Sequence, residues 1–128
     1  MNEQIQKDWV DALRSEKYEQ CSDKLKNERN EYCCLGVLTE LYIKAHPGAC
    51  WVSDEDFGYH LQDVDGKVTE GHGLPNPVAL WAGIDAFLKI GFAVPKLKNT
   101  GAVLVHLNDM DGLNFKQIAD EIEKEGVQ

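Results

Sequence analysis

No stretch of this chain approaches the roughly 18 consecutive apolar residues of a membrane span. Its first residues, Met1-Asn2-Glu3-Gln4-Ile5-Gln6-Lys7-Asp8, lack the apolar core of a secretory signal. The expectation is a cytosolic protein with no membrane partner. Positive charge is scarce too. Thirteen Lys plus Arg stand against 22 Asp plus Glu, a net charge of -9, which repels a phosphate backbone before local contacts form. Nucleic acid is therefore not an expected partner, although a carboxylate surface that imitates nucleic acid is an alternative use of the same charge. Metal-ligand spacing is missing as well: there is no Cys-x-x-Cys or His-x-x-x-His pair, and His46, His60, His72 and His106 are scattered. No metal and no cofactor are expected. No internal repeat, low-complexity tract or interdomain linker divides the chain, so residues 1–128 read as one domain. The four cysteines, Cys21, Cys33, Cys34 and Cys50, are even in number, but in the cytosol they read as reduced thiols rather than disulfides.

What is present suffices for a core. Hydrophobic residues make up 43% and charged residues 27%, close to ordinary globular usage. A chain of this length can bury roughly two-thirds of its unfolded surface. Ile5, Trp9, Ala12 and Leu13 fall on one helical stripe and predict a helix over about 3–15. Residues 17–32 are polar, with Tyr18 and Leu25 as the few inward candidates, and read as an exposed connection or short hairpin with a turn at Asn27-Glu28-Arg29-Asn30. The run from Cys33 to Ala45 is apolar nearly all round and is stopped by His46-Pro47-Gly48, which predicts a central buried helix. Gly36 costs a helix about 1 kcal/mol, so another backbone is expected against that face.

Trp51-Val52, residues 58–64 and residues 67–69 read as short strands, the last two joined at Asp65-Gly66. Leu74-Pro75-Asn76-Pro77 opens a two-turn helix that ends at Gly83. Residues 87–94 fit a strand or a helix equally. Residues 100–110 carry Val103, Leu104 and Leu107 on one face, and Asn114 with Gln117 caps a last helix whose stripe is Phe115, Ile118, Ala119 and Ile122. The fold class is α+β, a helix-rich single domain with a small antiparallel sheet or hairpin in the middle. The expected core is Trp9, Leu13, Leu35, Val37, Leu38, Leu41, Tyr42, Trp81, Leu104, Leu107, Phe115, Ile118 and Ile122.

Three blocks stand out: Trp9 to Ser15 with Tyr18 and Gln20; Tyr32-Cys33-Cys34-Leu35-Gly36-Val37-Leu38; and Leu74-Pro75 through Trp81-Ala82-Gly83-Ile84, ending in Leu107-Asn108-Asp109 and Phe115-Lys116-Gln117-Ile118-Ala119-Asp120. Their order and spacing resemble an uncharacterised family of small phage- and prophage-encoded proteins, over nearly the whole chain. That resemblance brings no catalytic residues. It implies a setting in which small accessory proteins bind a host protein, or capture a host defence signal, without doing chemistry.

The Cys33-Cys34 run also resembles the nucleophile helix of papain-like cell-wall peptidases, where the helix dipole favours a thiolate. A base would have to come from His72 or His106. Vicinal cysteines on an apolar helix are more commonly small buried hydrophobes, and that reading is preferred. The last two helices resemble a helix-turn-helix, but Asp120, Glu121, Glu123 and Glu125 outnumber Lys116 and Lys124 and oppose a DNA-reading role.

The aromatics Trp51, Phe57, Tyr59, Trp81 and Phe92 lie in the loop-rich middle, where rings can stack on a planar base while Arg14, Lys17 or Arg29 meets a phosphate. The competing explanation is that Trp51 and Trp81 are core residues. The reading carried forward is a non-enzymatic phage protein in the cytoplasm of an infected bacterium that counteracts defence by sequestering a small nucleotide-like signal. Trp51, Tyr59, Trp81, Arg14, Arg29 and Asn108 are its ligand-binding candidates. An acidic inhibitor of a host protein is the first alternative and a cysteine hydrolase the second. A homo-oligomer is compatible with either binding role.

Overall fold

In a computed structural model, which describes residues 1–55, 58–70, 73–87 and 89–128, the chain is an α+β domain. The element order is α1 (Glu3–Arg14), β1 (Glu19–Gln20), β2 (Glu31–Tyr32), α2 (Cys34–Ala45), β3 (Cys50–Asp54), β4 (Gly58–Gln62), β5 (Val68–Thr69), β6 (Leu74–Pro75), α3 (Asn76–Ala82), β7 (Phe92–Ala93), α4 (Leu104–Asp109) and α5 (Phe115–Glu125). Among the described residues no helix is long and apolar enough to cross a membrane.

The capping signal at the last helix acts as expected: Asn114 with Gln117 forms a reciprocal capping box on α5. At α1, Asn2 Oδ1 accepts from Ile5 N, a cap the sequence reading did not single out. Gly83 ends α3 at φ 73°, a left-handed conformation that a side chain would resist. The apolar stripes of α1 and α5 pack on each other, and α2 lies buried along one side of α1. Trp9, Leu35, Leu38, Leu104, Ile118 and Ile122 are fully buried at this junction.

Among the described residues three small sheets sit around the helices. β3, β4 and β5 form the antiparallel sheet foreseen for the middle of the chain, with Trp51 opposite Leu61 and Ser53 opposite Tyr59. β6 pairs with β7, which decides the segment after Leu88, itself outside the described residues: a turn at 89–91 leads into a two-residue strand. β1 and β2 pair in parallel.

The connection at 17–32 differs from expectation. Leu25, one of its inward candidates, is buried, but the segment is more than an exposed connection because the Leu25 backbone lies against α2. A Cβ on Gly36 would drive into the Leu25 carbonyl, which also accepts from Cys33 N at 3.2 Å. Gly36 is therefore the point where a second backbone touches the helix. The next residue, Lys26, bridges Tyr32 on one side and Tyr59 on the other. At the bridge to Tyr59, Gly58 has φ +78° and a Cβ there would stand 2.5 Å from the Lys26 carbonyl.

Other departures are local. Residues 100–103 do not extend α4, because Val103 pairs with Lys96 and Ala102 O accepts from Leu97 N. The turn between β4 and β5 is wider than two residues, with Asp63 N donating to Lys67 O. Leu41 and Trp81, expected in the core, are only partly buried against it. Leu61, Leu74, Val78, Leu97 and Val127 are core residues that periodicity does not single out: the first three sit in elements too short to show a period, and Leu97 and Val127 meet in an isolated bridge outside any strand.

Candidate functional site

The three sequence blocks meet in space at the start of α2. Trp9 Nε1 donates to Cys34 O at 2.9 Å, and Cys34 N donates to Asn108 Oδ1 at 3.2 Å. The same Oδ1 accepts from Gln20 Nε2 at 2.8 Å. Asn108 Nδ2 donates to Cys21 O at 2.8 Å and to Asp109 Oδ1 at 2.7 Å. An amide has two acceptor sites and two donor hydrogens. All four are used here, so Asn108 caps α2 in place of a local cap and has nothing left for a ligand.

The thiols beside it are held in their protonated form. Burial pushes Cys33 up to about 12, and the helix N–H groups of Gly36 and Leu35, which favour thiolate, do not offset it. Burial holds Cys34 well above the ordinary thiol value. Half-buried Cys21 is pushed up to about 11, by burial first and Glu31 second. A cleft of about 390 Å³ opens next to Cys33, lined also by Asp23, Lys24 and Asp109, and the Asp109 carboxylate opposes thiolate formation at Cys33 further. Of the bases considered, His106 is exposed on α4, and His72 lies outside the described residues. The dipole argument for a nucleophile at α2 thus fails on desolvation.

A second constellation forms where Lys26 crosses the sheet. Residues bridged across strands carry their side chains on one face, so the register puts the Lys26 ammonium among rings. It stands 4.9 Å from the Tyr59 ring centre and 5.5 Å from those of Tyr32 and Trp51, within reach of cation–π attraction. Trp51 Nε1 donates to Glu40 Oε2 at 2.6 Å, which fixes the indole against α2. Tyr18 meets Tyr32 edge-on at 5.2 Å, and Lys44 donates to the Tyr18 hydroxyl at 3.0 Å. Trp51 and Tyr59 are half-buried rather than sealed in the core. Tyr32 is pushed up to about 12 by burial and by Glu40.

Of the six expected ligand residues, the structure brings Trp51 and Tyr59 together here. Trp81 belongs to another aromatic group, edge-on to Tyr42 at 5.5 Å and to His46 at 5.6 Å. Arg14 grips Glu123 and Asp120 of α5 at 2.9 and 2.7 Å, and those hydrogen bonds raise its pKa further. Arg29 is exposed in the turn that begins just after Lys26. Phe92 lies in β7, away from this face, and Phe57 is outside the described residues. The sequence does not announce Lys26, because a single bridging residue leaves no alternating pattern; its only signal is Gly58, which admits the crossing backbone.

A groove of about 530 Å³ lies between the β4–β5 turn, α3 and the turn before β7. Val68, Leu80 and Ile90 line it and are strongly exposed, while Asp63, Asp65 and Glu70 face it with one lysine, Lys67.

A family model described as a domain of unknown function, DUF8296, matches residues 1–126. The chain belongs to the DUF8296 family. No curated protein and no solved structure matches it. Membership in DUF8296 brings no reaction with it, so function rests on side-chain chemistry: a sealed hub at Asn108, a ring cluster around Lys26, and an acid-rimmed groove. Among the described residues no group of three or more His, Cys, Asp or Glu could hold a metal ion.

Proposed function

We propose that this chain is a phage-encoded, non-enzymatic binding protein that counteracts a host defence by holding a small nucleotide-like signal at the Lys26 cluster. The observation that carries the reading is the convergence of one ammonium and three rings on a half-buried patch of the β3–β4 sheet. A base can stack on Trp51 or Tyr59, worth about 1–3 kcal/mol per ring. Lys26 supplies the phosphate contact expected, from the sequence, of Arg14, Lys17 or Arg29. Each of its three ring contacts is worth roughly 0.5–1 kcal/mol or more, so together they are comparable to the roughly 1.5–3 kcal/mol of a hydrogen bond between charged groups. A phosphate can therefore draw the ammonium away only because a base takes its place against the rings, and the stacking supplies the difference. The buried, protonated thiols support a role without covalent chemistry.

Calorimetry against a panel of cyclic and linear nucleotides, on the wild type, Trp51→Ala and Lys26→Met, tests the reading. At least one nucleotide should bind tighter than about 10 μM, equivalent to some 7 kcal/mol, and each substitution should weaken it by roughly one to two powers of ten. A panel in which nothing binds that well overturns it. The second reading, an acidic inhibitor of a host protein, is favoured by a different observation, the acid-rimmed groove with exposed apolar walls.

A further inference from the structure

The groove between β5 and α3 shares no residue with the Lys26 cluster, and its chemistry is of another kind. Leu80 is 62% exposed, Ile90 59% and Val68 44%. Three of the six exposed large hydrophobics among the described residues line this one groove, and Val64 and Phe87 belong to the two turns that border it. Such grouping on a monomeric surface marks an interaction site rather than the scattered exposure of ordinary surfaces.

The apolar side chains are held out on a fixed frame. Asn76 Nδ2 donates to Phe87 O at 2.8 Å, its Oδ1 accepts from Phe87 N at 3.1 Å, and its own N donates to Gly91 O at 3.1 Å. Asn76 is itself buried. The start of α3 and the turn carrying Ile90 are thus tied together before any partner arrives, which lowers the ordering cost of binding. On the other wall Asp63 accepts from Tyr42 Oη at 2.6 Å, so the β4–β5 turn is tied to α2.

The charges select the occupant. Three carboxylates, Asp63, Asp65 and Glu70, face the groove against Lys67 alone, and Lys67 stands 4.0 Å from Asp65 in a pair that is open to water. An anionic ligand is repelled. A second copy of this chain is a poor fit as well, because each brings a net charge of -9 and the apolar stripes of α1 and α5 are already spent on each other. We infer that this groove is a docking surface for a basic amphipathic helix of a partner protein, with apolar anchors seated between Leu80, Ile90 and Val68 and Lys or Arg side chains meeting Asp63, Asp65 and Glu70. The inference rests on the second reading, an inhibitor of a host protein, and names its partner's chemistry; with the nucleotide site it shares only the premise of a binding protein.

The test uses two labelled peptides of about 18 residues, roughly five helical turns, each with Leu at helical spacing and either Lys or Glu elsewhere. Fluorescence anisotropy is read at physiological ionic strength on the wild type, on Leu80→Glu with Ile90→Glu, and on Asp65→Lys with Glu70→Lys. The Leu/Lys peptide should bind at least about tenfold tighter than the Leu/Glu peptide. The Leu80/Ile90 variant should lose about tenfold or more, although it adds two negative charges. Diffuse attraction to an acidic protein predicts the opposite sign, so equal or tighter binding to that variant overturns the inference. The charge-reversed variant touches only exposed rim residues and should prefer the Leu/Glu peptide; an unchanged preference also overturns it. A concentration-dependent dimer in sedimentation, abolished by Leu80→Glu, would assign the face to self-association instead. Nucleotide calorimetry on the Leu80/Ile90 variant should match the wild type, so failure here and failure at the Lys26 cluster remain separable.

Discussion

Replacing Asn108 by Ala should be among the most destabilising single substitutions in this chain that remove so few atoms. The amide satisfies Cys34 N inside the protein, Cys21 O at the edge of the solvent-shielded region, and Gln20 Nε2. Gln20 keeps a second partner, Leu113 O at 2.8 Å, so two backbone groups are left without one. A buried group stripped of its partner costs about 1–3 kcal/mol. The Cys34 N–H belongs at the upper end because nothing else caps α2, and the half-shielded Cys21 carbonyl at the lower end. The sum is about 3–4 kcal/mol, a large fraction of the roughly 5–15 kcal/mol that holds a domain together. With a urea m-value of about 1.5–2 kcal/mol per M, the midpoint should fall by about 2 M when followed by tryptophan fluorescence. Asn108→Asp keeps the acceptor but loses both donor hydrogens and sets a carboxylate beside Asp109, so it should not rescue stability at neutral pH. A midpoint shift below about 0.5 M with an unchanged m-value would show that the amide is not holding α2 in place.

Thiol labelling at neutral pH should modify exposed Cys50 quickly and leave Cys33 and Cys34 unreacted until the chain unfolds; fast labelling of either with loss of a measurable hydrolysis would revive the hydrolase alternative. Gly36→Ala places a methyl group on the Leu25 carbonyl and should cost about 1–3 kcal/mol or more in urea unfolding, whereas a gain in stability, the ordinary effect of Ala for Gly in a helix, would contradict the close approach. Stability should fall at alkaline pH: burial raises the Cys33 pKa from about 9 to about 12 on folding and holds Cys34 well above the ordinary thiol value, so their contribution is complete below pH 9 and is lost as pH rises toward 12. In a pH series of urea midpoints Cys33→Ser should reduce that loss, Cys34 carrying part of the remainder; an equal loss in the variant would assign it to other groups.

How much of this is legible in the sequence depends on whether contacts are local. The α5 capping box, the glycine at the end of α3 and the stop after Ala45 involve partners within a few residues, and each appears where spacing places it. Gly36 shows that a local anomaly can point to a distant contact, since a glycine in an apolar helix implies a close backbone but not which one. Asn108 and Lys26 mark where local reading ends. Nothing near Asn108 in the chain indicates that it caps a helix 74 residues away. Lys26 sits in a polar stretch whose strand character comes wholly from its two neighbours. Arg14, read as a phosphate contact, is a helix-to-helix clamp because the acidic α5 that argues against DNA lies directly across from it. Charge composition reports the sum over such pairs and conceals the pairing.

Leu25 and Lys26 join the hub to the proposed ligand site, and that adjacency allows stability and binding to be told apart. Leu25 O accepts from Cys33 N where Asn108 holds α2, while Lys26 carries its ammonium into the rings. A ligand present at 100 times its Kd should add about 2.7 kcal/mol to the wild type. If Asn108 acts only through α2, the Asn108→Ala variant starts from a lower baseline yet keeps nearly the whole increment, because Lys26, Trp51 and Tyr59 are untouched and the native state still binds. Trp51→Ala should behave in the opposite way, keeping more of the baseline and losing most of the increment, since its half-buried ring contributes more to the ligand than to the core. Loss of the increment from both variants would mean that the first turn of α2 and the ring cluster order together. The ligand would then be reading the position of the Leu25–Lys26 segment, and Asn108 would belong to the binding unit despite having no hydrogen-bonding capacity to spare.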